Sequence, residues 1–254
     1  MVFNSIFFIF CFLPVFMMIY YLVPGKLRNL LLFLGSLIFY AWGEPVYVIL
    51  MLFSSIFNYY MGTELERLYY DDRKQKINLI FSIIINLAVL VFFKYYGFLL
   101  NTIGGIIGIH IPHPELSLPI GLSFYTFRNL SYLFDIYLSK VSAQRNFLTF
   151  AVYSTMFPYT SAGPIVRYTD IETQLKQRTI NISKFGIGAE LFVKGLAKKV
   201  LLADNLSVLY SSICGHPQMS VFTSWLGILA YTMQLYFDFS GYSDMAIGLG
   251  KCWD

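Results

Sequence analysis

The chain is 254 residues long and only 13% of them are charged, about half the share usual in soluble domains. With 57% apolar residues and a mean hydropathy of +0.62, too few charges remain to cover a soluble globule of this size. A disordered chain, a secreted disulfide scaffold and a nucleic-acid binder are disfavoured together, and the net charge of +4 matters less than its placement.

Residues 1–25 carry no charge, and the apolar run 2–23 is 22 residues long. Roughly 20 suffice to cross about 30 Å of hydrocarbon as helix. A signal peptide competes with that reading. However, no basic residue precedes the run, its length is excessive, and no small-x-small cleavage site follows. It is read as a retained first span.

Further uncharged stretches cover 29–43, 45–63, 77–93, 95–114, 116–127, 146–166 and 205–237. The charges between them cluster, as in a multi-pass protein with short loops. Lys26 and Arg28 fall in the first loop; Arg67, Arg73, Lys74 and Lys76 fall in the next long one. Glu44 and Pro45 mark a turn on the opposite side. The positive-inside bias then places the N-terminus outside, 24–28 and 64–76 in the cytoplasm, and the Gly- and Pro-rich 100–117 outside. Lys94, after a 17-residue apolar run, is expected to snorkel to the interface.

A span over about 118–138 contains Arg128 and Asp135, two helical turns apart on one face and too distant along the axis to pair. Each is expected either to meet a partner on a neighbouring helix or to line a pathway. The run 146–166 is interrupted by Pro158, Gly163 and Pro164, and basic residues follow at Arg167, Lys176, Arg178 and Lys184. It is therefore expected to dip into the membrane and return, which irregular backbone does only where protein buries it or a cavity borders it. The charge-rich 185–204 reads as an interfacial or strongly amphipathic helix. Asp238 and Asp244 lie in YFDFSGYSD at 236–244, directly after the 33-residue uncharged run. Carboxylates there point to a functional site or to a buried hydrogen-bond network.

Metal and nucleophile chemistry find little support. His110 and His113 flank a proline, no carboxylate cluster completes a site, and His216 stands in CGHP. Cys11, Cys214 and Cys252 have no CxxC spacing, and there is no phosphate-cradling glycine loop, GxSxG or HExxH.

LPIGLSFYTF at 118–127, SY at 131–132, DIY at 135–137 and QRNFL at 144–148 resemble the membrane-bound O-acyltransferase family. So do FP at 157–158, AGPIVRY at 162–168, GLAKK at 195–199, ADN at 203–205 and QLYFDFSGYSDMAIG at 234–248. Together with VFNS at 2–5 and FYAWG at 39–43, the likeness is to the alginate O-acetyltransferase branch and spans nearly the whole chain. The resemblance implies an all-α integral membrane protein: a multi-pass helical bundle with re-entrant and interfacial helices, forming one domain over 1–254. It also implies an enzyme of the bacterial cytoplasmic membrane that helps acetylate an extracytoplasmic polysaccharide. An acyl donor, acetyl-CoA or a carrier-linked acyl group, is expected as substrate with no bound cofactor. The bilayer and polysaccharide-acetylation proteins are expected as partners, and nucleic acid is not. Asp238, Ser240, Tyr242, Ser243 and Asp244 become candidates for lining the tunnel and acceptor region, with Gly163, Pro164 and Arg167 behind them. Arg128 departs from the neutral polar residue expected there.

The family continues into a Trp-rich motif with a histidine serving as general base, which suits a group titrating near working pH. This chain stops at KCWD, 251–254, without it. The 254 residues are therefore expected to be the N-terminal portion of a longer or frame-truncated acyltransferase, without acetyltransferase activity alone. The competing functions are a transporter or export subunit using Arg128, Asp135, Asp238 and Asp244, and a catalytically silent scaffold.

Overall fold

The computed structural model describes residues 3–108, 117–176, 178, 181–216 and 220–253. All regular structure among them is helical, and the chain gathers into two compact units. A central unit comprises Lys26–Ser161 and Ile165–Lys176; a terminal unit comprises Met1–Gly25, Ala162–Pro164 and Gln177–Asp254.

The central unit holds α2 (Arg28–Gly43), α3 (Val48–Arg67), α4 (Asp72–Ile107), α5 (Leu122–Tyr137), α6 (Phe147–Thr155) and α7 (Tyr168–Lys176). Among the described residues, α3 and α4 are the helices long and apolar enough to cross a membrane. α4 starts where Asp71 accepts a hydrogen bond from the Lys74 amide, 3.1 Å, and stops at left-handed Gly108, φ 75°. These are the usual devices for satisfying the orphan groups of helix ends. Its 36 residues rise about 54 Å.

That single helix joins the two uncharged stretches 77–93 and 95–114 as far as Ile107, so Lys94 interrupts nothing. Twenty-two residues separate Asp72 from Lys94, a rise of about 33 Å and roughly one hydrocarbon thickness. The Lys94 ammonium sits 5.6 Å from the Tyr95 ring centroid. A long stem with an aromatic neighbour lets one cation stay inside a continuous helix.

Several polar groups buried between these helices are matched with each other. Asn58 and Asn86 exchange amide hydrogen bonds of 3.0 and 2.9 Å between α3 and α4. Gln75 donates to the Leu65 carbonyl at 3.1 Å, and the Ser55 hydroxyl to that of Ser154 at 3.0 Å. Where lipid offers no hydrogen bonds, such pairs fix which helix meets which. Tyr40, Met51, Leu90, Leu122 and Tyr125 form the apolar core beside them. α5 begins at Gly121, φ 74°, where a Cβ would lie 2.0 Å from the Thr160 carbonyl oxygen. No other residue fits that approach.

α6, capped by the Asn146 side chain, has nine residues and ends before a 3₁₀ turn at Phe157–Tyr159 containing Pro158. At about 13.5 Å it is too short to cross hydrocarbon. The run 146–166 is thus broken where its prolines stand, and 163–167 is irregular.

In the terminal unit, a π-helical turn at Phe8–Phe12 leads into α1 (Leu13–Leu22). α8 (Ile182–Ala197) passes through a π-helical stretch, Lys198–Ala203, into α9 (Asp204–Cys214), and α10 (Val221–Cys252) returns alongside. The charged 185–204 and the uncharged residues after it therefore share one long helical arm, and YFDFSGYSD lies inside α10. Glycines set the packing: a Cβ on Gly195 would come 2.5 Å from the Gly241 carbonyl oxygen, and one on Gly188 the same distance from that of Gly248. Both pairs are seven residues apart in opposite chain directions, so α8 and α10 run antiparallel with backbones in contact. The end of α10 is closed by α1. Tyr20 donates to the Trp253 carbonyl at 2.8 Å, and Tyr21 donates to that of Cys252.

Candidate functional site

The glycine contact at 195 and 241 brings the next turn of the first arm against α10. Lys199 N and Lys198 Cβ lie only 3.1 and 3.3 Å from where a Cβ on Gly241 would stand. Asp238 and Asp244 flank that glycine at three residues on either side. The widened π-helical backbone at Lys198–Ala203 sends two consecutive lysines to the same helix, a feature frequent at functional sites. The Lys198 ammonium donates to Asp244 Oδ2 at 2.6 Å and Ser240 Oγ at 3.1 Å. The Lys199 ammonium sits 2.7 Å from Asp204 Oδ1 and 2.9 Å from Asp238 Oδ1.

Two ammonium groups and three carboxylates thus form two neighbouring clusters between the helices, Lys198 with Asp244 and Ser240, and Lys199 with Asp204 and Asp238. Charge-assisted bonds of this kind are short and strong, and they hold side chains that would otherwise be costly at membrane depth. The clusters remain accessible: the Asp238 side chain is 46% exposed and that of Asp244 23%. They present a fixed carboxylate, a hydroxyl and two ammonium groups to whatever occupies the space beside α10. Those groups can orient a hydroxylated molecule and hold charge beside a developing oxyanion.

Of the residues expected from sequence, Asp238, Ser240 and Asp244 are brought together here. Tyr242 lies on the same helix with its ring 5.0 Å from that of Phe3, and Ser243 is half-buried beside it. Gly163 is buried and Pro164 half-buried in the irregular segment. Arg167 is exposed just before α7, in the central unit. Lys198 and Lys199 were legible as charges on an amphipathic face and as the end of GLAKK, 195–199, but not as site residues. The repeated seven-residue glycine spacing, 188 with 195 and 241 with 248, is the signal that could have paired the helices and found them.

Arg128 belongs to the central unit and is 1% exposed. Its guanidinium donates to the carbonyls of Tyr153 at 3.1 Å, Ser154 at 3.3 Å and Tyr159, and lies 5.7 Å from the Tyr159 ring centroid. Tyr153 returns a hydrogen bond to the Arg128 carbonyl at 3.2 Å. Carbonyls at a helix C-terminus lack intrahelical donors and carry partial negative charge. Arg128 supplies both a donor fork and a positive charge where α6 breaks. Its partner is thus on a neighbouring element, and that partner is backbone. Asp135, also buried, lies 3.9 Å from the Lys140 ammonium.

Among the described residues no three His, Cys, Asp or Glu side chains cluster as a metal site. His110 and His113 lie outside the described residues, and His216 is exposed.

Residues 46–252 match the model of the membrane-bound O-acyltransferase family. The chain is 41% identical to a probable alginate O-acetylase of Pseudomonas aeruginosa, over 98% of its own length and 49% of that protein's. It is 40% identical to the probable alginate O-acetylase of Azotobacter vinelandii, with 98% and 51% covered. To a peptidoglycan O-acetyltransferase of Helicobacter pylori it is 33% identical, with 98% and 54% covered. The chain spans about half the length of the curated relatives it matches.

Proposed function

The chain belongs to the membrane-bound O-acyltransferase family, and from that premise we propose that it acts in O-acetylation of an extracytoplasmic polysaccharide such as alginate. The observation that carries this reading is the pair of ion-paired clusters, Lys198 with Asp244 and Ser240 and Lys199 with Asp204 and Asp238, accessible against the apolar helix α10. Ionisable groups in such a setting mark functional sites by default. The relatives' names add the chemistry: each is an O-acetylating protein, of alginate or of peptidoglycan.

In this reading the acyl donor is acetyl-CoA or a carrier-linked acetyl group, and the acceptor is a sugar hydroxyl. The acceptor oxygen attacks the thioester carbonyl, its proton passes to a base, and the thiol leaves. Asp238, Ser240 and Asp244 hold and orient the acceptor, while Lys198 and Lys199 fix the two carboxylates. Tyr242, Ser243, Gly163 and Pro164 shape the surroundings. The protein is a multi-pass bundle of the bacterial cytoplasmic membrane with its N-terminus extracytoplasmic, and partner proteins share in polysaccharide acetylation. α3 and α4 cross the bilayer, the broken α6 stretch is re-entrant, and α8 lies at the interface. Arg128 closes the re-entrant turn, and Arg167 lies on the basic cytoplasmic side.

The test is expression from the protein's own gene in a strain lacking its polysaccharide O-acetyltransferase, with polymer-bound acetyl ester as readout. Restored ester that Asp238→Ala abolishes at unchanged protein level supports the reading. No ester from the well-expressed product of the whole gene overturns it.

A further inference from the structure

Where α3 ends and the 68–71 turn leads into α4, the surface carries a cleft of about 420 Å³. Glu66, Tyr69 and Tyr70 line one side, and Ile136, Ser139, Lys140, Val141 and Ser142 the other. Its size suits a small ligand or headgroup. Because the turn joins the two helices able to cross a membrane, the cleft opens at a membrane face, where tyrosine is favoured.

The polar groups in the cleft sort by what is already occupied. Glu66, the one carboxylate lining it, spends Oε2 on Arg145 and Oε1 on the Ala143 amide, 3.3 Å. Asp135 is turned inward with its side chain 7% exposed, whereas Lys140 is 51% exposed and 3.9 Å away, at the limit of an ion pair. Arg145 stays 75% exposed beside Glu66. Among the described residues no hydrogen bond occupies the hydroxyls of Tyr69, Tyr70, Ser139 or Ser142. The lining carboxylate is engaged, while the hydroxyls and most of the Lys140 ammonium face the cleft.

Ser139 adds a second, independent sign. Its amide donates to the Ile136 carbonyl and that of Lys140 to the Asp135 carbonyl, both 2.8 Å, closing α5 in a Schellman turn. The left-handed residue of such a turn is usually glycine; here serine sits at φ 56°. A side chain in that conformation is strained, and strain of this kind is retained where the side chain is used. What serine offers beyond glycine is a hydroxyl in the cleft.

We infer that this cleft is a phosphate-binding site at the basic membrane face, held by Lys140 with the Ser139 and Ser142 hydroxyls and faced by Tyr69 and Tyr70. An anionic phospholipid headgroup and a soluble phosphate ester share that chemistry. Basic pockets between spanning helices recognise headgroups in this way. The inference is independent of the acetylation reading, since its test reads bound phosphate and not acetyl ester.

The experiment uses the full chain purified in detergent from membranes containing phosphatidylglycerol, with retained lipid counted by native mass spectrometry. Wild type is expected to retain one phosphatidylglycerol. Lys140→Gln is expected to lower retention about tenfold and Lys140→Arg to keep it, as loss of one charge-assisted contact implies. Ser139→Gly is expected to lower retention about two- to threefold while leaving the melting temperature equal or higher, which separates binding from folding. Lys76→Gln, an exposed charge on the neighbouring α4, is expected to change nothing. Glycerol 3-phosphate that displaces the lipid assigns the site to soluble esters; lipid retained against it assigns the site to the headgroup. Equal losses from Lys76→Gln and Lys140→Gln overturn the site in favour of a diffuse charge field. So does a wild type that binds neither probe.

Discussion

Arg128 and the lysine pair at 198 and 199 are cations in apolar surroundings, yet the two units treat them differently. Arg128 is fully buried and matched by backbone carbonyls of a helix end. Lys198 and Lys199 are matched by carboxylates and remain partly exposed. Carbonyl dipoles accept a guanidinium fork without bringing a second net charge, so the cation can be sealed inside and define a break in the chain. Carboxylates neutralise an ammonium in full but carry their own hydration, and such a cluster stays near an accessible surface. On the proposed function, charge used for architecture and charge kept for chemistry differ in partner type and in exposure.

Arg128→Leu should test the first half most severely. It leaves the Tyr153, Ser154 and Tyr159 carbonyls without that donor, and about 3–5 kcal/mol of stability should be lost. Chemical denaturation in detergent would show this as a large fall in midpoint. Arg128→Lys should recover only part, because an ammonium lacks the planar fork. Gly195→Ala comes next. Its methyl would stand 2.5 Å from the Gly241 carbonyl oxygen, so the helices must separate. A loss of about 1–3 kcal/mol is expected by the same measurement.

Lys199→Met should cost less in stability, about 1 kcal/mol, because the side chains are partly solvated. Its larger expected effect is on acetyl ester formation, by about tenfold or more. If Lys199→Met and Arg128→Leu destabilised equally, the contrast between the two units would fail. The smallest effect should come from Asp71→Asn at the start of α4. The Lys74 side chain and amide hold the Asp71 carboxyl below its ordinary range. A lowered folded-state value stabilises above the ordinary carboxylate range, and the benefit is lost as pH falls through the folded value. The melting temperature of Asp71→Asn should therefore sit slightly below wild type at neutral pH and converge with it in acid.

The sequence made some of this legible and hid the rest for physical reasons. α2 was visible as 29–43 because charges bracket an apolar run, and Arg28–Gly43 is where it lies. The break after α6 was visible because Pro158 lacks the amide a helix needs. Lys94 separates two uncharged runs that α4 joins, since the stem of a single long cation can remain in the helix. The partners of Arg128 could not be read, because backbone carbonyls leave no mark in residue identity. In the candidate site, Asp238, Ser240 and Asp244 stood out as polar residues in an apolar segment. Lys198 and Lys199 did not, because only the antiparallel glycine contacts bring them there.

The hydroxyls of Tyr20 and Tyr21 close a helix whose last carbonyls are made more than 230 residues later. At about 5–20 residues per second of synthesis, that is a wait of roughly ten to fifty seconds. During it the first helix must stay inserted without its eventual partner, and the α8–α10 hairpin must form with one end open. The terminal unit is thus completed only once residues 252 and 253 have been made, by a stitch between helices distant in the chain. Pausing translation near codon 250 should leave the N-terminal helix protease-accessible, and resuming it well past codon 253 should protect that helix.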